Sequence, residues 1–256
     1  MPERTILEVK NISMGYFKGD SEFKVMDGVS FNVEDWEFVS VIGPSGCGKS
    51  SLIRTIIGLQ EPTKGKIIFE GKEVNSPPFG MQMIFQNFVL LPWKTALENV
   101  ELALEESGLN AAEIEAKSTK ALANVNLHGF ENAYPGELSG GMRQRVGMAR
   151  AMVSDPDLLL MDEPFSSLDE LTAEQLRGEV YRILKDKSLP IKSVIMVSHN
   201  VDEVLELSDR IVVLSKPPSH IIDIVKVDIE YPRSQHSPKF EALRERILGY
   251  LYKASS

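Results

Sequence analysis

Gly43-Pro44-Ser45-Gly46-Cys47-Gly48-Lys49-Ser50 sets three glycines, a lysine and a hydroxyl in the order G-x-x-x-x-G-K-S, the spacing of a loop that cradles nucleotide phosphates. The glycines let the backbone wrap closely around the phosphates. Lys49 brings a cation to the β- and γ-phosphates, and the Ser50 hydroxyl can ligate Mg2+. Leu138-Ser139-Gly140-Gly141-Met142 is a second phosphate-binding element: a serine and two glycines precede a helical pattern, so backbone N–H groups and a hydroxyl can face an anion. Phosphoryl transfer needs positioning and charge neutralisation more than covalent chemistry. The groups for it follow in Leu158-Leu159-Leu160-Met161-Asp162-Glu163, an apolar strand that delivers two carboxylates at its C-terminal end, where ligands bind in open α/β sheets. Asp162 can hold the Mg2+ shell through water. Glu163, on the opposite side by strand alternation, can orient and deprotonate an attacking water. An Asp-Glu pair is more often plain solvated surface, but four apolar residues before it and Pro164 after it favour the chemical reading. His199 ends the apolar run Val194–Val197 and can hydrogen-bond the γ-phosphate and the water. His128, His220 and His236 read as structural, and Cys47 as filler of a permissive position whose alkylation would block nucleotide binding.

The elements that must position these groups are legible around them. Strands are expected at Ile6–Val9, Phe31–Val33, Phe38–Ile42 and Lys66–Phe69, with turn chemistry at Asp27-Gly28 and Glu70-Gly71. Leu52, Ile53, Ile56 and Ile57 form a helical stripe after the loop, with Gly58 as its C-terminal cap, which completes a strand–loop–helix unit. From Leu97 to Leu127 the pattern is helical and acidic. This block reads as a helical subdomain, about residues 87–155, inserted in a sheet domain covering 1–216. Met142, Val146, Ala149 and Val153 mark a helix ended by Ser154-Asp155-Pro156. Leu158–Met161, Val194–Val197 and Ile211–Leu214 are short, continuous apolar runs, the mark of strands buried on both faces of a parallel sheet. The tail, 217–256, carries Phe240, Leu243, Ile247, Leu248 and Leu251 at helical spacing.

With 256 residues the chain can bury a sizeable core. Its net charge of -9 argues against a broad nucleic-acid face. No signal pattern marks the chain for export, no apolar run approaches the ~20 residues of a membrane helix, and one cysteine suits a reducing compartment. The expectation is a cytoplasmic protein whose membrane link, if any, comes through a partner.

Taken in order, Gly43–Ser50, Leu138–Met142, Leu158–Glu163, Ser167-Leu168-Asp169 and His199 resemble the ATP-binding subunit of ABC transporters, over about residues 5 to 216. The resemblance implies an α/β fold: a P-loop NTPase core with a mainly parallel sheet, an N-terminal antiparallel β subdomain and an inserted α-helical subdomain. It also implies ATP and Mg2+ as cofactors. Residues Gly43 to Ser51 would bind ATP, and Tyr16 in Met14-Gly15-Tyr16-Phe17 matches the aromatic that stacks on adenine. Gln86, after Met83-Ile84-Phe85, matches the glutamine that touches Mg2+ or the attacking water, so Ser50, Gln86 and Asp162 form the metal set. Lys49, Gln86, Glu163 and His199 form the catalytic set. Ser139, Gly140 and Gly141 would reach the γ-phosphate held by another copy, with Asp169 near that boundary, so that two ATP molecules lie between two subunits, identical or related.

Met142 stands where the commonest form of the signature has glutamine. With Leu91-Pro92-Trp93-Lys94-Thr95-Ala96-Leu97-Glu98-Asn99-Val100 and Ser237–Arg244, it resembles the nitrate, sulfonate and taurine importer group. In that group a permease inserts a short helix beside the glutamine loop. Phe88, Leu91 and Trp93 are candidates for lining that groove, against the alternative that they pack inside the helical subdomain. The partners implied are the permease, indirectly a solute-binding protein, and no nucleic acid. A soluble ABC-type ATPase is the competing class, weakened by a Gly48–Leu138 stretch too short for a long coiled coil and by the single cassette. An exporter subunit is disfavoured only by the subgroup features.

Overall fold

The computed structural model describes residues 4–18, 21–86, 89–166, 169–185 and 191–255. In chain order the elements are β1 (Thr5–Lys18), β2 (Ser21–Glu34), β3 (Phe38–Ile42), α1 (Lys49–Ile56), β4 (Lys64–Phe69), β5 (Lys72–Glu73) and β6 (Met81–Ile84). Helices α2 (Ala96–Glu101), α3 (Ala111–Asn124) and α4 (Gly140–Met152) follow, then β7 (Leu158–Asp162) and α5 (Glu170–Lys185). The chain ends with β8 (Ser193–Ser198), α6 (Val201–Leu207), β9 (Arg210–Leu214), β10 (Ile221–Lys226) and α7 (Pro238–Ser255). The chain divides into two compact units, residues 1–78 with 192–256, and residues 79–191.

In the first unit an antiparallel sheet runs β2-β1-β4-β5. A second runs β10-β9-β3-β8, with β3 parallel to both β8 and β9 and β10 antiparallel to β9. Every residue of β3 and β8 is buried, the reason their sequences read as continuous apolar runs. α1 ends where its stripe predicts: Ile57 is the C-cap and Gly58 follows at φ +83. Beyond Pro217-Pro218 the chain adds β10 and then α7, which packs on α6 and β9 with Phe240 and Ile247 fully buried. Arg244 to Asp202 (2.8 Å) and Arg246 to Asp223 (2.6 Å) fasten α7 along its exposed side.

In the second unit β6 lies parallel to β7, Ile84 opposite Met161. The α2, α3 and α4 helices pack through Val100, Leu122, Val146 and Ala149, all fully buried. The caps are local and strong. Thr95 with Glu98 and Asn110 with Glu113 each form a capping box, and the Ser139 hydroxyl accepts the Met142 N–H at 3.3 Å to open α4. Glu101 ends α2, and Glu105 and Glu106 lie in the turn that follows the single-turn 3-10 helix Leu102–Leu104. No helix among the described residues is long and apolar enough to cross a membrane.

Candidate active site

The loop 43–48 joins the end of β3 to the start of α1. A β-carbon at Gly43 would stand 2.7 Å from the Cys47 sulfur and 3.0 Å from Leu214 Cβ, so only glycine lets the loop turn against β9. Gly48 is the N-cap of α1 in a left-handed conformation, φ +94, and no side chain caps the helix there. Gly48 has no side chain with which to cap the first turn of α1, the arrangement that receives an anion. Lys49, buried, donates from Nζ to the carbonyls of Gly43 (2.8 Å) and Pro44 (3.2 Å), placing the ammonium inside the loop. Ser45 and Gly46 are exposed, and the space beside Gly46 is open to 4 Å. This set fits a nucleotide polyphosphate. Cys47 is 1% exposed, and burial pushes its thiol above the ordinary range, so it is a slow target for alkylation.

Tyr16 reaches the same helix. Its hydroxyl lies 2.9 Å from Ser51 Oγ and accepts a hydrogen bond from Gln60 Nε2 at 3.1 Å. The bond to Ser51 is the main reason the phenol sits below its usual range. With its hydroxyl tied to the first turn of α1, Tyr16 is 47% exposed, with Phe23 directly across the β1–β2 ladder, itself exposed. Nothing in the local sequence marks Gln60, whose contact with Tyr16 is purely tertiary. His199 follows β8, whose Ser198 pairs with Ile42 of β3, so His199 and Gly43 leave neighbouring parallel strands at the same sheet end. The turn at His199 is built by Ser198, which donates to Glu203 (2.6 Å) and accepts from the Asn200 N–H (3.0 Å), and by Asn200, which caps α6.

In the second unit the parallel β6–β7 pair brings Gln86 and Glu163 to one end. Gln86 Nε2 lies 3.5 Å from Glu163 Oε2 and 3.3 Å from Ser166 Oγ. Asp162 is buried as the last residue of β7. The strand stops there: Glu163 takes φ +46, a left-handed conformation uncommon for a non-glycine residue. Strand alternation therefore does not set the Glu163 side chain; a backbone turn does. Ser166 locks that turn by donating from Oγ (3.0 Å) and N (3.3 Å) to the Glu163 carbonyl. Nothing in the local sequence pattern marks Ser166 for this contact, and strain of this kind gathers at functional sites.

Ser139 opens α4, and Gly140 and Gly141 form its first turn, half-buried. A β-carbon at Gly141 would lie 3.0 Å from Thr172 Cγ2, so the glycine lets α5 approach. Arg143 holds the preceding loop through the Leu138 carbonyl at 2.6 Å. Asp169 caps α5, accepting from Thr172 N (3.0 Å) and Thr172 Oγ1 (2.8 Å). Ser167 and Leu168 lie outside the described residues, as does Phe88. Trp93 is 69% exposed rather than packed inside the helices, and Leu91 is half-buried. Asn99, fully buried, clamps their turn by accepting from the Leu91 N–H (2.8 Å) and donating to the carbonyls of Leu91, Lys94 and Thr95.

The ABC transporter family model matches residues 26–166. An uncharacterized ABC transporter ATP-binding protein of Methanocaldococcus jannaschii is 43% identical over 245 residues, 96% of this chain and 91% of that one. The aliphatic sulfonates import ATP-binding protein SsuB of Bacillus cereus is 38% identical over 242 residues, 94% of each chain. Among solved structures, a dimeric ATP-binding cassette in a post-hydrolysis state with ADP and Pi superposes with a TM-score of 0.76 at 30% identity, covering 88% of this chain and 100% of that one. Sequence and fold agree over nearly the whole length, and the chain belongs to the ABC transporter family as an ATP-binding cassette ATPase.

Proposed function

We propose that this chain is the ATP-hydrolysing subunit of an importer. Two copies, or this chain and a related subunit, close around two Mg-ATP, and closure drives a partner permease that carries a small solute of the sulfonate or related anion type. The observation that carries this reading is the start of α1: a helix N-terminus without a side-chain cap, with a buried ammonium folded into the loop before it. The similarity to an import protein named for aliphatic sulfonates supports the direction of transport and the solute class.

In this reading Gly43–Ser51 hold the phosphates and Tyr16 stacks on the adenine. Mg2+, when bound, offsets phosphate charge, with Ser50, Gln86 and Asp162 assigned to it. Glu163 takes the proton of the attacking water, Gln86 fixes the carboxylate, and His199 donates to the γ-phosphate. Ser139, Gly140 and Gly141 bind the γ-phosphate of the other copy, next to Asp169. Trp93, held outward by the Asn99 clamp, is the anchor for the permease, which keeps the subunit at the cytoplasmic face of the membrane.

Glu163→Gln tests the chemistry. The variant keeps the shape and the Gln86 contact but removes the proton acceptor, so turnover should fall by ~10^2-fold or more. ATP-dependent dimerisation, read by light scattering, should persist. Hydrolysis near the wild-type rate would refute the assignment of Glu163 as base.

A further inference from the structure

The loop between β9 and β10 and the last turns of α7 flank an open cavity of about 620 Å3 that has no part in the chemistry above. That volume is within the range of small-molecule sites. Pro217, Pro218, Ile222 and the Tyr250 ring supply apolar lining. Lys216 and Lys253 add two ammonium groups, and neither has an ion-pair partner among the described residues. The acid in the lining, Asp27, is already engaged by Lys24 at 2.9 Å. In a chain of net charge -9, two uncompensated lysines over an apolar pit are a local reversal of the surface field.

The walls are preorganised. Ser215 and His220 tie the base of the loop through three hydrogen bonds, each 3.0 Å long. Arg246 fixes Tyr250, donating to its hydroxyl at 3.2 Å with the guanidinium 5.8 Å from the ring centroid, and is itself anchored on Asp223.

The same loop is bonded to the phosphate loop. Ser219, fully buried between Pro218 and His220, donates from N to the Val25 carbonyl (2.8 Å), and its hydroxyl bonds to the carbonyls of Val25 and Cys47. Val25 in turn packs beneath Gly48, close enough that a β-carbon there would lie 2.7 Å from Val25 Cγ1. A shift of residues 215–220 must therefore be felt at residues 47 and 48.

We propose that this cavity binds a small organic anion with an apolar body, its head group between Lys216 and Lys253 and its hydrocarbon against Tyr250, and that occupancy changes ATP affinity through Ser219. The binding half stands apart from the function proposed above; the coupling half rests on residues 43–51 holding ATP.

Calorimetric titration of the full chain with hexanesulfonate, hexanoate, hexanol and inorganic sulfate tests the site. Kd below about 1 mM is expected for the two hexyl anions, with sulfate and hexanol about tenfold weaker or worse. Sulfonate and carboxylate arms that differ identify the preferred head group. Lys253→Glu, at an exposed position, and Tyr250→Ala, at a half-buried one, both checked by thermal melting, should each weaken binding about tenfold. No binding of either hexyl anion at about 10 mM, or unchanged binding in both variants, overturns the site.

For the coupling, saturating hexanesulfonate should change the Kd of ATP by about fivefold, and ATP should change the sulfonate Kd by the same factor. Ser219→Ala should keep sulfonate binding and lose that factor. If Ser219→Ala does not fold, the wild-type reciprocity decides. Equal ATP affinities with and without bound sulfonate overturn the coupling, whereas a wild-type chain that fails to bind ATP at all refutes the ATPase reading and leaves the site standing.

Discussion

Gly48→Ala separates two reasons for glycine at the end of the phosphate loop. The first is backbone: φ is +94, and an L-residue held in a left-handed conformation costs ~1–2 kcal/mol. The second is space: the new methyl would lie 2.7 Å from Val25 Cγ1, an overlap that costs a further ~1–3 kcal/mol in a packed site. Gly46→Ala carries only the first cost, since φ is +75 but nothing lies within 4 Å of its β-carbon. Urea unfolding followed by circular dichroism should then give ~1–2 kcal/mol of destabilisation for Gly46→Ala and ~2–5 kcal/mol for Gly48→Ala. Val25→Ala removes the obstructing methyl, and although it costs stability by itself, it should recover ~1 kcal/mol or more in the double variant relative to the sum of the singles. Equal losses at 46 and 48, or strict additivity of Gly48→Ala with Val25→Ala, would refute the claim that a β2 side chain dictates this glycine.

Ser139→Arg removes the α4 cap, worth ~1 kcal/mol, and puts a long cation on the signature; fluorescent ATP-analogue binding should persist while hydrolysis is lost. Trp93→Ala changes a largely exposed side chain, so the unfolding free energy should move by no more than ~0.5 kcal/mol, while transport in permease-containing vesicles drops. Unchanged transport would remove Trp93 as an anchor. Cys47, buried and with its thiol held mostly protonated at neutral pH, should react with iodoacetamide ~100-fold more slowly in the folded chain than in urea, and the alkylated protein should not bind ATP on mass-resolved assay.

The sequence by itself determined the strand–loop–helix unit around Gly43–Ser50, the buried strands β3, β7, β8 and β9, and the existence of α4, although the two glycines read as preceding that helix form its first turn. These are set within a few residues: apolar period, turn glycines and capping hydroxyls act locally, so the code is local. It did not determine β10, whose residues are mostly half-buried or exposed and lack a continuous apolar run. Nor could it place Glu163, for strand alternation fails where the chain leaves β7 at φ +46 under the grip of Ser166. The approach of Gln86 to Glu163, the tether from Tyr16 to Ser51 and Gln60, and the Asn99 clamp behind Trp93 are each decided by tertiary structure. The first joins residues 77 apart in sequence, brought to one sheet end by parallel pairing. Even Gly48, the plainest letter of the phosphate motif, owes part of its necessity to Val25 of β2. Types and spacing name the chemistry. The distances at which that chemistry can run come from elements that meet only when the chain folds.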